Sequence, residues 1–139
     1  MKVMIIWEST RGRTKAMAEA ICEGVNSAGG EGVLVDAKDF SGVGDACAIA
    51  VGSSTRMKKV LPMVKRSLSE LPSLQGLAGA SFGSYGWSGE APDEIAGKLM
   101  ELGANLVIEN PIKAKDYPSE SILEECRKLG ILLVENCKK

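Results

Sequence analysis

Between Trp7 and Lys15 the chain places Glu8-Ser9-Thr10-Arg11-Gly12-Arg13-Thr14, with three hydroxyls, two guanidinium groups and one glycine in seven residues. Such a set suits an anion. Lys2 to Ile6 reads as a strand buried on both faces and Thr14 onward has helical periodicity, so the loop joins a strand's carboxyl end to a helix's amino end. There the first-turn N–H groups are free, the helix dipole adds roughly half a positive charge, and Ser9, Thr10 and Thr14 can donate to phosphate oxygens. Gly12 permits a left-handed backbone. A plainer account fits the same string equally well: Thr14 as a helix cap, with Ser9 and Thr10 as turn residues.

Two further stretches carry chemistry. Gly52-Ser53-Ser54-Thr55 follows an apolar strand and runs into the basic Arg56-Met57-Lys58-Lys59. Gly83-Ser84-Tyr85-Gly86-Trp87-Ser88-Gly89 holds two of the chain's six aromatic residues within three positions. Aromatic faces interleaved with glycines suit a flat, conjugated ligand, because the rings stack while backbone N–H groups reach its polar edge. Trp87 also admits a plain role as a core or rim aromatic, and Trp7 reads as packing rather than ligand contact.

Composition removes several alternatives. With no histidine, the chain has no Ser-His-Asp or Cys-His catalysis and no imidazole-dependent metal site. A net charge of −1 argues against a nucleic-acid-binding surface. No apolar run reaches the roughly 20 residues of a membrane span and no signal-peptide pattern precedes the first strand, so a cytoplasmic location is expected. Cys22, Cys47, Cys126 and Cys137 form no C-x-x-C pair and are expected to be free thiols. The 139 residues fit a single domain over 1–139.

The elements that position these loops follow in order. The first helix runs from Thr14 to Ala28, with Met17, Ala18, Ile21, Cys22 and Val25 facing inward. Strands are expected at 32–36, 46–52, 77–83 and 105–108. Helices are expected over Pro62–Leu71, from near Pro92 with Ile95, Leu99, Met100 and Leu102 buried, and from Ser119 to Lys138 and Lys139. Strands alternating with helices imply a parallel sheet covered on both faces. We expect an α/β three-layer sandwich with strand order 2-1-3-4-5. That order reverses between strands one and three, and ligands bind outside the carboxyl ends at such a switch point. The loops that emerge there are the three described above.

These three stretches resemble those of the flavodoxin family. Ser9-Thr10-Arg11-Gly12-Arg13-Thr14 with Lys15-Ala16-Met17-Ala18 resembles its phosphate loop, and Gly52-Ser53-Ser54-Thr55 its loop after strand three. Phe82 to Ala91 is similar to the flavin loop of the flavodoxin-like domain of A-type flavoproteins, also called flavo-diiron proteins. The resemblance implies noncovalent FMN. Its phosphate would lie against Ser9, Thr10, Arg11, Gly12, Arg13 and Thr14. Its ring would lie between Ser53, Ser54, Thr55, Arg56, Met57 and the set Ser84, Tyr85, Gly86, Trp87, Gly89.

Three departures stand out. Arg11 occupies a place where flavodoxins often have Thr, Ser54 replaces the usual Pro, and Arg56-Met57-Lys58-Lys59 replaces an aromatic or Asn followed by Gly. Met57 can cover the ring face instead, since thioethers pack well on aromatic systems. Fully reduced FMN is an anion, and a cation about 7 to 8 Å away at an effective dielectric of about 20 favours it by on the order of 2 kcal/mol. Lys58 and Lys59 would then raise the second reduction potential, while a solvated loop with no effect on the flavin fits the same residues equally well.

The resemblance implies an electron carrier working between an unidentified reductase and an acceptor protein. The alternative is a module of the same fold that has lost firm FMN binding and serves interaction or regulation. A di-iron oxygen or nitric oxide reductase is excluded for this chain alone, which has neither the metallo-β-lactamase-like domain nor histidine ligands. A receiver domain would need an Asp where Gly52-Ser53 stands, and a nicotinamide-binding domain would need G-x-G-x-x-G in the first loop. A P-loop enzyme would need Gly-Lys-Ser/Thr, and a phosphatase of this topology a cysteine in the first loop.

Overall fold

The computed structural model describes residues 1–137, and the last helix, expected to end among Lys138 and Lys139, ends at Glu135 with Asn136 as its C-cap. Strand β1 (Lys2–Glu8) pairs in parallel with β2 (Glu31–Asp36) on one side and β3 (Ala48–Ser53) on the other. Beyond β3 and a short hairpin, β4 (Thr55–Arg56) with β5 (Lys59–Val60), lies β6 (Ala78–Tyr85), which pairs with β3. Outermost are β7 (Asn105–Leu106) and β8 (Ile112–Lys115), both parallel to β6. The order β2-β1-β3-β6-β7 is the expected one.

Alternation along each strand divides the core between two helical layers. Val3 and Ile5, with Ala48, Ala50, Ala78, Ala80 and Phe82, face helices α1 (Arg13–Ser27) and α4 (Glu120–Glu135). Met4, Ile6, Ile49 and Val51 face α2 (Pro62–Glu70) and α3 (Ala91–Glu101). Small side chains on the first face let α1 and α4 settle close to the sheet and to each other. A Cβ on Gly130 would fall on the carbonyl oxygen of Ile21, and one on Gly24 on that of Arg127. Backbone cannot give way as a flexible side chain can, so Gly130→Ala is expected to lower the unfolding free energy by about 3 kcal/mol in urea denaturation. A neutral result would mean that the two helices can separate freely.

Several local expectations are corrected. The fifth strand is two pieces, because Pro111 has no N–H for the ladder and interrupts it. Its second piece, Ile-Lys-Ala-Lys, alternates buried and more exposed positions rather than forming the apolar run that marks a central strand. The basic stretch after β3 is a hairpin, not an open loop. Met57 and Lys58 take φ values of 51° and 64°, the left-handed pair that a two-residue turn with the right twist needs, without the usual Asn-Gly. Met100 is exposed, since it falls well off the helical stripe of Ile95, Leu99 and Leu102.

The cysteine expectation holds for Cys22 and Cys126 only. Cys47 and Cys137 form a disulfide, with Cα atoms 5.1 Å apart although 90 residues separate them in sequence. Cys47 precedes β3 and Cys137 follows α4, so both stand at the sheet end opposite the three loops. Burial pushes the Cys126 thiol up to about 12, which keeps it protonated at neutral pH.

Candidate functional site

The loops following β1, β3 and β6 meet at the buried Thr14. Its Oγ1 lies 2.8 Å from Ser84 Oγ and 3.1 Å from Ser54 Oγ, and accepts a hydrogen bond from the Ser84 N–H at 3.3 Å. Ser54 Oγ and Ser84 Oγ are themselves 3.3 Å apart. One hydroxyl from each element thus closes a buried network, and Ser54, where the resemblance would put Pro, is one of its members.

Thr14 is not the cap of α1. The N-cap is Gly12, at φ 78°, without a side-chain cap. A residue with a Cβ would be strained in that conformation, so the glycine is required by the turn itself. The first helical bond runs from Ala16 N–H to Gly12 O, which leaves the N–H groups of Arg13, Thr14 and Lys15 ahead of the ladder. In the loop that leads into this open helix end, three residues before Gly12, Ser9 Oγ is inaccessible to solvent and has no hydrogen-bond partner among the described residues. A buried hydroxyl without a partner costs about 1–3 kcal/mol, and an anion at the helix N-terminus would relieve it.

The predicted anion-loop residues differ in environment. Thr10, Arg11 and Gly12 are exposed, and Arg13 pairs with Asp116 at 3.5 Å, which ties α1 to the end of β8. Trp7 is half-buried against the α1 and α4 core with Lys15 Nζ 5.5 Å from its ring centroid, in keeping with a packing role.

Around the second and third loops, several predicted residues do structural work. Ser53 Oγ donates to Ser54 O at 2.8 Å and accepts from Leu61 N–H at 3.0 Å, closing the hairpin onto α2. Thr55 Oγ1 accepts from Ala91 N–H at 3.0 Å and so satisfies the first turn of α3. Tyr85 ends β6, where its carbonyl accepts from Asp116 N–H at 2.7 Å, and Gly86 and Gly89 flank Trp87. Arg56 is exposed on the hairpin.

Between the hairpin and the Trp87 loop lies a cleft of about 230 Å³ lined by Thr55, Met57, Lys58, Trp87 and Ser88. Trp87 is 91% exposed and Met57 86% exposed, so neither is a core residue. A larger groove of about 460 Å³ runs between α2 and α3, but its lining, which includes Leu68, Glu94 and Lys98, comes from helix surfaces rather than strand-end loops.

The residue pattern did not reveal two carboxylates. Glu8 Oε1 accepts from Val64 N–H at 2.9 Å and caps α2, whose own N-cap Leu61 has no side-chain acceptor. Glu90 Oε1 is buried at the start of α3 without a partner among the described residues. Glu8 stands in no recognisable capping spacing, because it reaches its helix across 56 residues of sequence, and Glu90 occupies the N-cap of α3 without a side-chain cap bond. No group of His, Cys, Asp or Glu among the described residues could hold a metal ion.

Residues 5–130 match the flavodoxin family model. The chain belongs to the flavodoxin family. A solved archaeal flavodoxin superposes with a TM-score of 0.89 at 39% identity, covering 97% of each chain. Rubredoxin oxygen:oxidoreductase from Desulfovibrio gigas superposes with a TM-score of 0.90 at 29% identity, over 96% of this chain and 35% of that one. Among curated relatives, the anaerobic nitric oxide reductase flavorubredoxin of Aeromonas hydrophila is 33% identical over 93% of this chain but only 28% of its own length. This flavodoxin-family chain therefore spans about a quarter to a third of the curated relatives it matches. The A-type resemblance is shown in the same set, which includes a putative diflavin flavoprotein A 4 of Nostoc. No described helix is long and apolar enough to cross a membrane.

Proposed function

We propose that this chain is an FMN-binding electron-transfer protein, with residues 1–139 forming one flavodoxin-like domain that works in the cytoplasm between a reductase and an acceptor. The observation that carries the reading is the buried Ser9 Oγ, without a partner among the described residues, in the loop that leads into the open N-terminus of α1. The anion that satisfies it is the FMN phosphate, held also by Thr10, Arg11, Arg13 and the first-turn N–H groups of α1. Met57 and Trp87 would cover the ring from the hairpin and the β6 loop, with Ser84 to Gly89 offering backbone groups to its polar edge.

When bound, FMN supplies one- and two-electron redox chemistry that the side chains lack. The chain's part is to position and shield. Thr14, Ser54 and Ser84 lock the three loops in register, Thr55 fixes the hairpin to α3, and Gly12 gives the backbone its turn toward the phosphate. The alternative of a module without FMN finds no support in a site whose three loops remain joined. Nitric oxide or oxygen reduction, named in the longer relatives, would require a metal centre, and no group of His, Cys, Asp or Glu among the described residues could hold one.

FMN added to the flavin-free protein is expected to bind at micromolar concentration with flavin bands shifted from those of free FMN. Riboflavin, which has no phosphate, should bind at least about 100-fold more weakly, as charge-assisted hydrogen bonds contribute roughly 1.5–3 kcal/mol each. Equal affinity for the two flavins, or no binding, would overturn the assignment of the first loop.

A further inference from the structure

Although the chain has net charge −1, Arg56, Lys58 and Lys59 on the β4–β5 hairpin form no ion pair among the described residues. The nearby carboxylates are otherwise engaged or covered: Asp93 pairs with Lys113, Asp116 with Arg13, and Glu8 caps α2, while Glu90 Oε1 is buried. An FMN phosphate at Ser9 to Thr14 would offset Arg11, which sits on that loop, and leave the hairpin cations uncompensated.

Within this basic rim stand Met57 and Trp87, the side chains that would flank the flavin ring and the most exposed large apolar residues among those described. Met57 and Lys58 are presented there by a turn in which both non-glycine residues are left-handed, at φ 51° and 64°, a conformation that L side chains rarely adopt. An apolar centre ringed by like charges is the anatomy of an interface with a partner of opposite sign.

We propose that the Met57 and Trp87 rim, ringed by Arg56, Lys58 and Lys59, is the docking face for a small electron-transfer protein whose redox centre is surrounded by carboxylates. The inference rests on the FMN reading, because docking here brings the partner's centre to the flavin edge.

The test uses two haem proteins of opposite surface charge, the acidic cytochrome b5 and the basic mitochondrial cytochrome c. Isotope-labelled, FMN-loaded protein is titrated with each, all components oxidised so that no electron passes. Cytochrome b5 should shift the amide resonances of residues 56–59 and 86–88, and its affinity should fall by about tenfold or more between low and high salt. Lys58→Glu with Lys59→Glu should weaken cytochrome b5 by about tenfold and strengthen cytochrome c.

After reduction of the flavin with dithionite, each productive encounter moves one electron from flavin to ferric haem, giving ferrous haem. The ratio of the two haem proteins' rate constants should fall by about tenfold in the variant, and a change in the flavin's own potential acts on both partners. Tighter binding of cytochrome c to the unmodified protein, or shifts on another face, would overturn the proposal. So would the same shifts arising with protein concentration alone, which would assign the rim to a second copy of the chain. If FMN fails to bind, the absent flavin band reports that separately and the flavin-free titration still decides the docking face.

Discussion

Replacing Thr14 with Val is expected to lower stability by about 2–3 kcal/mol and to weaken FMN binding by about 30-fold. Val keeps the shape and removes only the hydroxyl, at a residue that is fully buried. The Ser84 N–H loses its acceptor at 3.3 Å, and the Ser54 and Ser84 hydroxyls lose the atom that joins them. An unsatisfied buried amide costs about 1–3 kcal/mol, whereas the hydroxyl pair can still bond to each other, which sets the size of the stability loss.

The affinity loss has two sources. One donor is lost near the open end of α1, and the β3 and β6 loops lose the contact that fixes them to the phosphate loop. Thermal denaturation and quenching of flavin fluorescence read the two effects separately. Thr14→Ser restores the hydroxyl and should recover most of both. If Thr14→Val binds FMN as tightly as the unmodified protein, the hydroxyl network does not organise the site.

Breaking the Cys47–Cys137 disulfide is expected to destabilise the fold by about 4–5 kcal/mol without weakening FMN binding. The bridge closes a loop with a sequence separation of 90 residues. In the chain-entropy treatment, restraining an unfolded loop of that size contributes about 4.6 kcal/mol. For a chain of this length the melting temperature should fall by roughly 15 °C. The flavin loops should be spared, because β3 separates them from Cys47 by its whole length, about 20 Å at 3.3 Å per residue.

Thiol counting checks the premise. The denatured protein should show two reactive thiols, Cys22 and Cys126, and four after reduction. In the native protein Cys126 should stay unreactive at neutral pH, since burial holds its thiol up to about 12. Four thiols without reductant would remove the bridge from the account of stability.

Residue pattern alone is enough to read the layers and the edge on which the site lies. Apolar strands of six or seven residues alternating with amphipathic helices leave few topologies once crossovers are right-handed, and the order chosen among them, 2-1-3-4-5, puts the switch point between strands one and three. The hydroxyl, glycine and aromatic composition of the three loops also marked them from local chemistry alone.

Tertiary structure decided what each residue does there. Thr14 reads locally as a cap, but Gly12 takes that place and the Thr14 hydroxyl is used instead by Ser54 and Ser84, which lie 40 and 70 residues away. Ser54 departs from the usual Pro, and only its neighbours in space show that its hydroxyl is needed. Met57 and Lys58 carry no turn signature, yet closure of β4 on β5 forces them left-handed. Cys47 and Cys137 have no spacing to betray them. Local preference is a short-range term of at most a few kcal/mol per turn, while partner choice depends on which distant loops the sheet brings together, and no window of neighbouring residues contains that information.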